Sequence, residues 1–195
     1  MIRGMIRPAV VLTLLLCVIT GATYPGAITA IAQLLFPRQA NGSLVTVNGR
    51  VVGSALIGQS FTRDEYFHSR PSAAGNGYDA SASGGTNKGP TDRKLSDTLV
   101  GMRADSAVTS LGVARGAIPT DLVTASASGL DPHISPANAR LQAARVARAR
   151  HSDTAAVLRI LNAHVEGRQF GIFGEPRVNV LLLNLALDSA IPLKH

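Results

Sequence analysis

The sequence predicts an α+β protein: one N-terminal transmembrane helix followed by a single small soluble domain in which helices pack on a short sheet. Three observations carry this. An uncharged, apolar stretch runs from Pro8 through Pro37, Asn-Gly turn signals separate short β-favouring runs after it, and later segments open on helix caps. At 195 residues the chain has room for one span and one core, with no second independent domain.

The first element is the span. Val10 to Ile19 reads Val-Val-Leu-Thr-Leu-Leu-Leu-Cys-Val-Ile, and about 20 such residues cross a hydrocarbon core of roughly 30 Å as a helix. Residues 8–36 are expected to form it, with residues 1–7 a cytoplasmic tail made basic by Arg3 and Arg7, and residues 37–195 an extracytoplasmic domain. A cleavable secretory signal ending near Thr20-Gly21-Ala22 is the alternative. Apolar character resumes after Pro25 with Ile28, Ile31, Leu34, Leu35 and Phe36, which favours a retained anchor. Two readings of its middle stay open: Ala22, Gly26 and Ala30 form a small-residue stripe for a neighbouring helix, or Tyr24-Pro25-Gly26 breaks the helix at the interface.

Beyond the span, Leu44–Val47 and Arg50–Val52 flank Asn48-Gly49 and predict a hairpin; Ala55 to Phe61 reads as a further strand. Between Ser69 and Lys94 the chain turns to Ser, Ala, Gly, Asn and Pro. A loop of that length is usually functional or mobile, and it is a candidate contact surface. Ser96 to Leu111 has near-helical apolar spacing, with Gly112 to end it, and Ile118 to Ala125 is short and β-like. Ser135-Pro136 starts a helix to about Arg150, and Ser152-Asp153 opens another whose Val157, Leu158, Leu161 and Val165 share a face. Val178 to Leu187 reads as a buried element, a strand at its Val-rich start.

Composition narrows function. The formal charge is +7, but the basic residues are spread along the chain rather than gathered in a patch, which argues against nucleic acid. Aromatics make up 4% and Trp is absent, so any core is built from small and branched aliphatics. The only thiol, Cys17, sits in the apolar segment, so no internal disulfide forms. No phosphate loop and no nucleophile elbow occurs, and His68, His133, His151, His164 and His195 lack metal-ligand spacing.

The most unusual piece is Val123 to Ser135. Thr124, Ser126 and Ser128 alternate, then Gly129 and Asp131-Pro132 turn the chain into a helix start. Hydroxyls beside a helix N-terminus hold an anion where backbone N–H groups are unpaired; equally, they satisfy turn and cap groups. A hydrolase built from Ser126 or Ser128 with Asp131 and His133 is disfavoured, because residues so close in sequence rarely converge. Tyr66 to Pro71 is expected to pack and turn rather than bind. Arg140, Arg145, Arg148 and Arg150 are expected to face anionic headgroups or acidic partner loops, or else to form a solvated face.

Several of these runs resemble the KdpC family, the C subunit of Kdp potassium-transporting ATPases. They are Tyr24-Pro25, Phe36 to Leu44, Gly53 to Gln59, Tyr66 to Ser72, Asp121 to Ser126, Gly129 to Ser135, Val178 to Val180 and Leu183 to Asp188. The resemblance implies a non-catalytic accessory subunit of a high-affinity, ATP-driven potassium uptake complex in the bacterial inner membrane. Its implied partners are a channel-like potassium-binding subunit, a P-type ATPase subunit that carries out hydrolysis, and a small single-span subunit. Two roles follow from the resemblance. One is a catalytic chaperone that raises the ATPase subunit's affinity for ATP, with Thr124, Ser126, Ser128 and Gly129 as nucleotide or anion contacts and no stably bound cofactor. The other is a domain outside the membrane above the potassium entrance. A stand-alone membrane-anchored periplasmic binding protein or enzyme is the competing reading.

Overall fold

The computed structural model describes residues 2–193, with side chains from position 4; the Arg3 side chain and His195 lie outside the described residues. The chain divides into two units, residues 1–52 and 53–195.

The first unit is dominated by apolar helix. Helix α1 (Ile2–Val18) passes through a π-helical turn (Ile19–Thr23) into α2 (Tyr24–Leu35), and a short α3 (Pro37–Ala40) follows. Pro25 explains the π turn. Its ring removes an N–H and crowds the carbonyl four residues back, and widening the preceding turn relieves both. The Tyr24 N–H accordingly donates to the Ile19 carbonyl, and the Thr20 hydroxyl donates to the Leu16 carbonyl at 2.7 Å. Helix therefore continues through Tyr24-Pro25-Gly26. The stretch Gly4–Leu35 is 32 residues of apolar helix, about 48 Å at 1.5 Å per residue. Leu12, Leu14, Leu15, Ile28 and Leu35 are all exposed on it. Leaving such a side chain in water forgoes about 1.5–3 kcal/mol each, so the helix fits a single membrane span.

Strands β1 (Leu44–Val47) and β2 (Arg50–Ser54) pair across Asn48-Gly49, both in left-handed backbone, and form the expected hairpin.

In the second unit, Ala55 to Phe61 is turn and irregular chain rather than a strand. The 69–94 segment holds one 3₁₀ turn, Ala80–Ala82, and packs closely, with Ala74 fully buried. Helix resumes in π form over Lys94–Gly101 and continues as α4 (Met102–Leu111), which ends at Gly112 with φ +65°, as its position predicts. After a 3₁₀ turn, Arg115–Ala117, the expected β-like run 118–125 is instead helix α5 (Thr120–Val123). Pro119 supplies its N-cap, and Asp121 falls in the first turn, where the dipole favours a carboxylate.

Strand β3 (His133–Ile134) leads into α6 (Pro136–Ala149), capped by Ser135, and α7 (Thr154–Ala163) is capped by Asp153. Strands β4 (Val165–Glu166) and β5 (Arg177–Asn179) follow, and the sheet order is β3-β5-β4, antiparallel throughout. The Val-rich start of 178–187 is a strand as expected, but Val180–Ala190 is a helix, α8. Asn179 makes the switch: its side chain accepts from the Leu182 N–H at 3.2 Å and caps α8 while its backbone still pairs in the sheet.

The core joins the three helices to the sheet through Val146, Val157, Leu161, Val178, Leu183 and Leu187. Ala139, Ala143 and Ala147 make the buried stripe of α6, so small residues set close helix approach and mask the apolar period that larger side chains would announce.

Candidate functional site

One extended segment threads between α6 and α8, and side chains, not a strand, satisfy its backbone. Asn184 accepts from the Phe67 N–H (2.8 Å) and donates to the Phe67 carbonyl (3.0 Å). Gln142 does the same for His68, at 2.7 and 3.1 Å. Each amide mimics a neighbouring peptide, which is how two buried polar side chains lie in an aliphatic core at little cost. Arg145 donates to the carbonyls of Asp64 (2.6 Å) and Tyr66 (3.0 Å). Arg150, its side chain fully buried, donates to the Glu65 carbonyl (2.7 Å), the Ile191 carbonyl (2.9 Å) and the Asp188 carboxylate (2.8 Å). Its guanidinium also lies over the Tyr66 ring. Tyr66 to His68 thus packs and anchors, as expected. Arg145 and Arg150 point into the fold instead of toward headgroups or partners; Arg140 and Arg148 stay exposed.

The chain then reaches the Val123–Ser135 segment. Gly129 has φ +68°, and a Cβ there would lie 2.6 Å from the Ala74 nitrogen and 2.7 Å from the Gly84 carbonyl. Only glycine allows this approach. The 69–94 segment is tied down at the same place. Ser72 Oγ donates to the Gly129 carbonyl (2.6 Å) and accepts from Tyr78 N–H (2.8 Å), while Gly84 N–H and Ser83 Oγ donate to the Ser128 carbonyl (2.9 and 3.0 Å). Tyr78 OH donates to the Arg70 carbonyl, and burial raises its pKa. Gly58 N–H closes the other side on the Leu130 carbonyl at 2.8 Å.

Of the four sequence-predicted contacts, Thr124 Oγ1 donates back to the Thr120 carbonyl (2.7 Å), Ser128 Oγ accepts from Leu130 N–H (3.1 Å), and Gly129 is buried in the turn. The hydroxyls of Ser126 and Ser128 stand 3.4 Å apart. The nearby helix N-terminus already holds a carboxylate: Asp121 accepts from Ser135 N–H (2.7 Å), Ser135 Oγ (2.9 Å) and Asn138 Nδ2 (2.9 Å). Asp121 and Asn138 complete a cap that the Ser-Pro start signal only half reveals.

A groove of about 610 Å³ lies beside this cap, lined by Arg70, Asp121, Thr124, Asp131, His133 and Arg177 among others. It takes in Thr124 but not Ser126, Ser128 or Gly129. Arg70 donates to Asp131 at 2.9 Å, and the His133 backbone N–H donates to the same carboxylate at 3.0 Å. Burial pushes the Asp131 carboxyl up, but hydrogen bonds from His133 and Arg70 outweigh it and hold the pKa below its ordinary value. His133 Nδ1 lies 3.4 Å from Asp131 Oδ1, and among the described residues neither serine hydroxyl bonds to His133, so no hydrolase triad assembles. No group of three His, Cys, Asp or Glu side chains among the described residues is placed to hold a metal ion.

The model of the KdpC family, described as the K+-transporting ATPase c chain, matches residues 6–189. The chain belongs to the KdpC family. A "Potassium-transporting ATPase KdpC subunit" of Gemmatimonas aurantiaca is 64% identical over 94% of this chain and 92% of its own length. Proteins of that name from Rhodospirillum rubrum (54% identical, covering 97% of this chain and 98% of the relative) and Myxococcus xanthus (61%, covering 88% and 81%) are similar along most of their length. The KdpC match begins inside α1 and ends within α8, so it covers anchor and domain alike.

Proposed function

We propose that this chain is a non-catalytic accessory subunit of a potassium-uptake ATPase. It is held by one span in the bacterial inner membrane, with its N-terminus in the cytoplasm and the second unit outside. It assembles with a channel-like potassium-binding subunit, a P-type ATPase subunit that hydrolyses ATP, and a small single-span subunit. Family membership supports the complex, and one structural observation supports a docking role. The loop between β4 and β5 presents Phe170, Ile172 and Phe173 at 84%, 71% and 65% exposure. Three large apolar side chains on one tip mark a protein-contact surface.

The test replaces Phe170, Ile172 and Phe173 together with serine and isolates the complex in mild detergent. Loss of co-purification and of potassium-stimulated ATP hydrolysis is expected, with the isolated chain still folded. A fully assembled, fully active complex overturns the docking role. Protease protection on right-side-out vesicles checks the orientation, and digestion of the second unit only after permeabilisation contradicts it.

The chaperone reading, in which Thr124, Ser126, Ser128 and Gly129 contact nucleotide, draws less support. The Thr124 and Ser128 hydroxyls bond within their own turns, the Gly129 carbonyl accepts from Ser72, and the Asp121 charge occupies the adjacent helix start.

A further inference from the structure

A second cavity, of about 230 Å³, opens where α4 lies against α6. Arg103, Ser106 and Ser110 line it from α4, Gln142 and Arg145 from α6, together with His68. Positions 103, 106 and 110 are three and four apart, so they share one stripe of the helix. The Arg103 guanidinium donates to the Val123 carbonyl at 3.1 Å, and among the described residues it meets no carboxylate. Arg145 is 13% exposed, and its one acidic neighbour, Asp64, stands 3.4 Å away with 73% of its side chain in solvent. Two partly desolvated arginines therefore line a cavity with no carboxylate among its lining residues; Arg145 spends its terminal N–H groups on Asp64, Tyr66 and Gln142, which leaves the Arg103 guanidinium as the one with donors to spare. Burial lowers the pKa of both, and no acid offsets this at Arg103.

We propose that this cavity binds a tetrahedral oxyanion, a phosphate or phosphate ester, held by the Arg103 guanidinium, with Arg145 adding positive charge to the wall and the Ser106 and Ser110 hydroxyls donating to the anion. Arginine's planar fork matches two oxygens of such an anion. At about 230 Å³ the cavity is several times the roughly 30 Å³ that one water molecule occupies, so an anion larger than water enters it. The site borders the chain just before Thr124, but no residue of the Thr124–Gly129 turn lines it, and it does not rest on how the chain docks in its complex. Its phosphate comes either from solution or from a lipid headgroup.

The experiment follows thermal unfolding of the full chain in detergent against inorganic phosphate, with chloride adjusted to constant ionic strength. A saturable rise in the unfolding temperature is expected. Arg103→Gln weakens the apparent phosphate affinity roughly tenfold or more. Ser106→Glu brings a carboxylate into the cavity three residues along the helix from Arg103, and is expected to raise the unfolding temperature without phosphate and abolish the response. A second arm repeats the titration in nanodiscs of phosphatidylcholine with and without phosphatidylglycerol. Stabilisation by phosphatidylglycerol that blunts the phosphate response assigns the headgroup as the source, whereas a response indifferent to it assigns soluble phosphate. The absence of any response in either arm overturns the proposal. So does a response that Ser106→Glu leaves at full size, since general salting effects of phosphate would persist in that variant.

Discussion

Replacing Gly129 with alanine probes the turn on which the polar half of the domain closes. The backbone at φ +68° costs an L-residue about 1–2 kcal/mol. The new methyl would also sit 2.6 Å from the Ala74 nitrogen, and that contact is backbone, so it cannot swing aside. Parting the segments strains the Ser72 Oγ bond to the Gly129 carbonyl and the Gly84 N–H bond to the Ser128 carbonyl, each worth about 1 kcal/mol. The total is roughly 2–4 kcal/mol, or about 6–12 °C in unfolding temperature for a domain of this size. Far-ultraviolet circular dichroism of the detergent-solubilised chain measures it. Gly116→Ala is the control, because a Cβ there meets nothing within 4 Å. A loss at Gly129 no larger than at Gly116 refutes the close-approach argument.

Other expectations follow from the buried polar side chains. Asn184→Leu keeps the number and branching of the side-chain heavy atoms but strands the Phe67 N–H and carbonyl, costing about 2–3 kcal/mol in a denaturant titration; unchanged stability means the amide is dispensable. Arg150→Lys keeps the charge but loses the fork that reaches Glu65, Ile191 and Asp188 together, and is expected to cost roughly 2–3 kcal/mol, where full retention of stability contradicts that geometry. Burial, with Arg145 adding to it, lowers the pKa of His68, so the unfolded chain takes up the proton first as pH falls. Its contribution to stability is complete above about pH 6.5 and is lost as the pH drops toward and through the folded value. His68→Gln is therefore expected to flatten the stability profile just below that pH, and an identical slope in the variant counts against the burial effect.

The sequence made legible those elements whose signals are local. The apolar run, the Asn48-Gly49 hairpin, the Ser135 and Asp153 caps and the Gly112 stop are each set by a few adjacent residues, and each stands where expected. What escaped depends on distant partners. Val180 to Leu187 is apolar at every position but Asn184, so its period cannot distinguish strand from helix; the Asn179 cap decides it, and an Asn just before such a run was the available signal. Arg145 and Arg150 look like surface charge until the carbonyls of Asp64 to Tyr66, about 80 positions earlier, are placed beside them. The same distance hides the candidate site: nothing local to Gln142, Asp121 or Arg103 announces the peptide, cap or cavity each one serves.

The π turn at Ile19–Thr23 has a geometric consequence for the anchor. An added residue within a helix rotates everything beyond it by about 100°. The stripe of side chains that Leu12 and Leu16 begin is therefore not continued by residues at the same spacing past Tyr24. The two halves of the span show different azimuths to whatever surrounds them, and Pro25 works as an indexing pin: removing one residue from that turn would shorten the rod only slightly while re-aiming its whole far end.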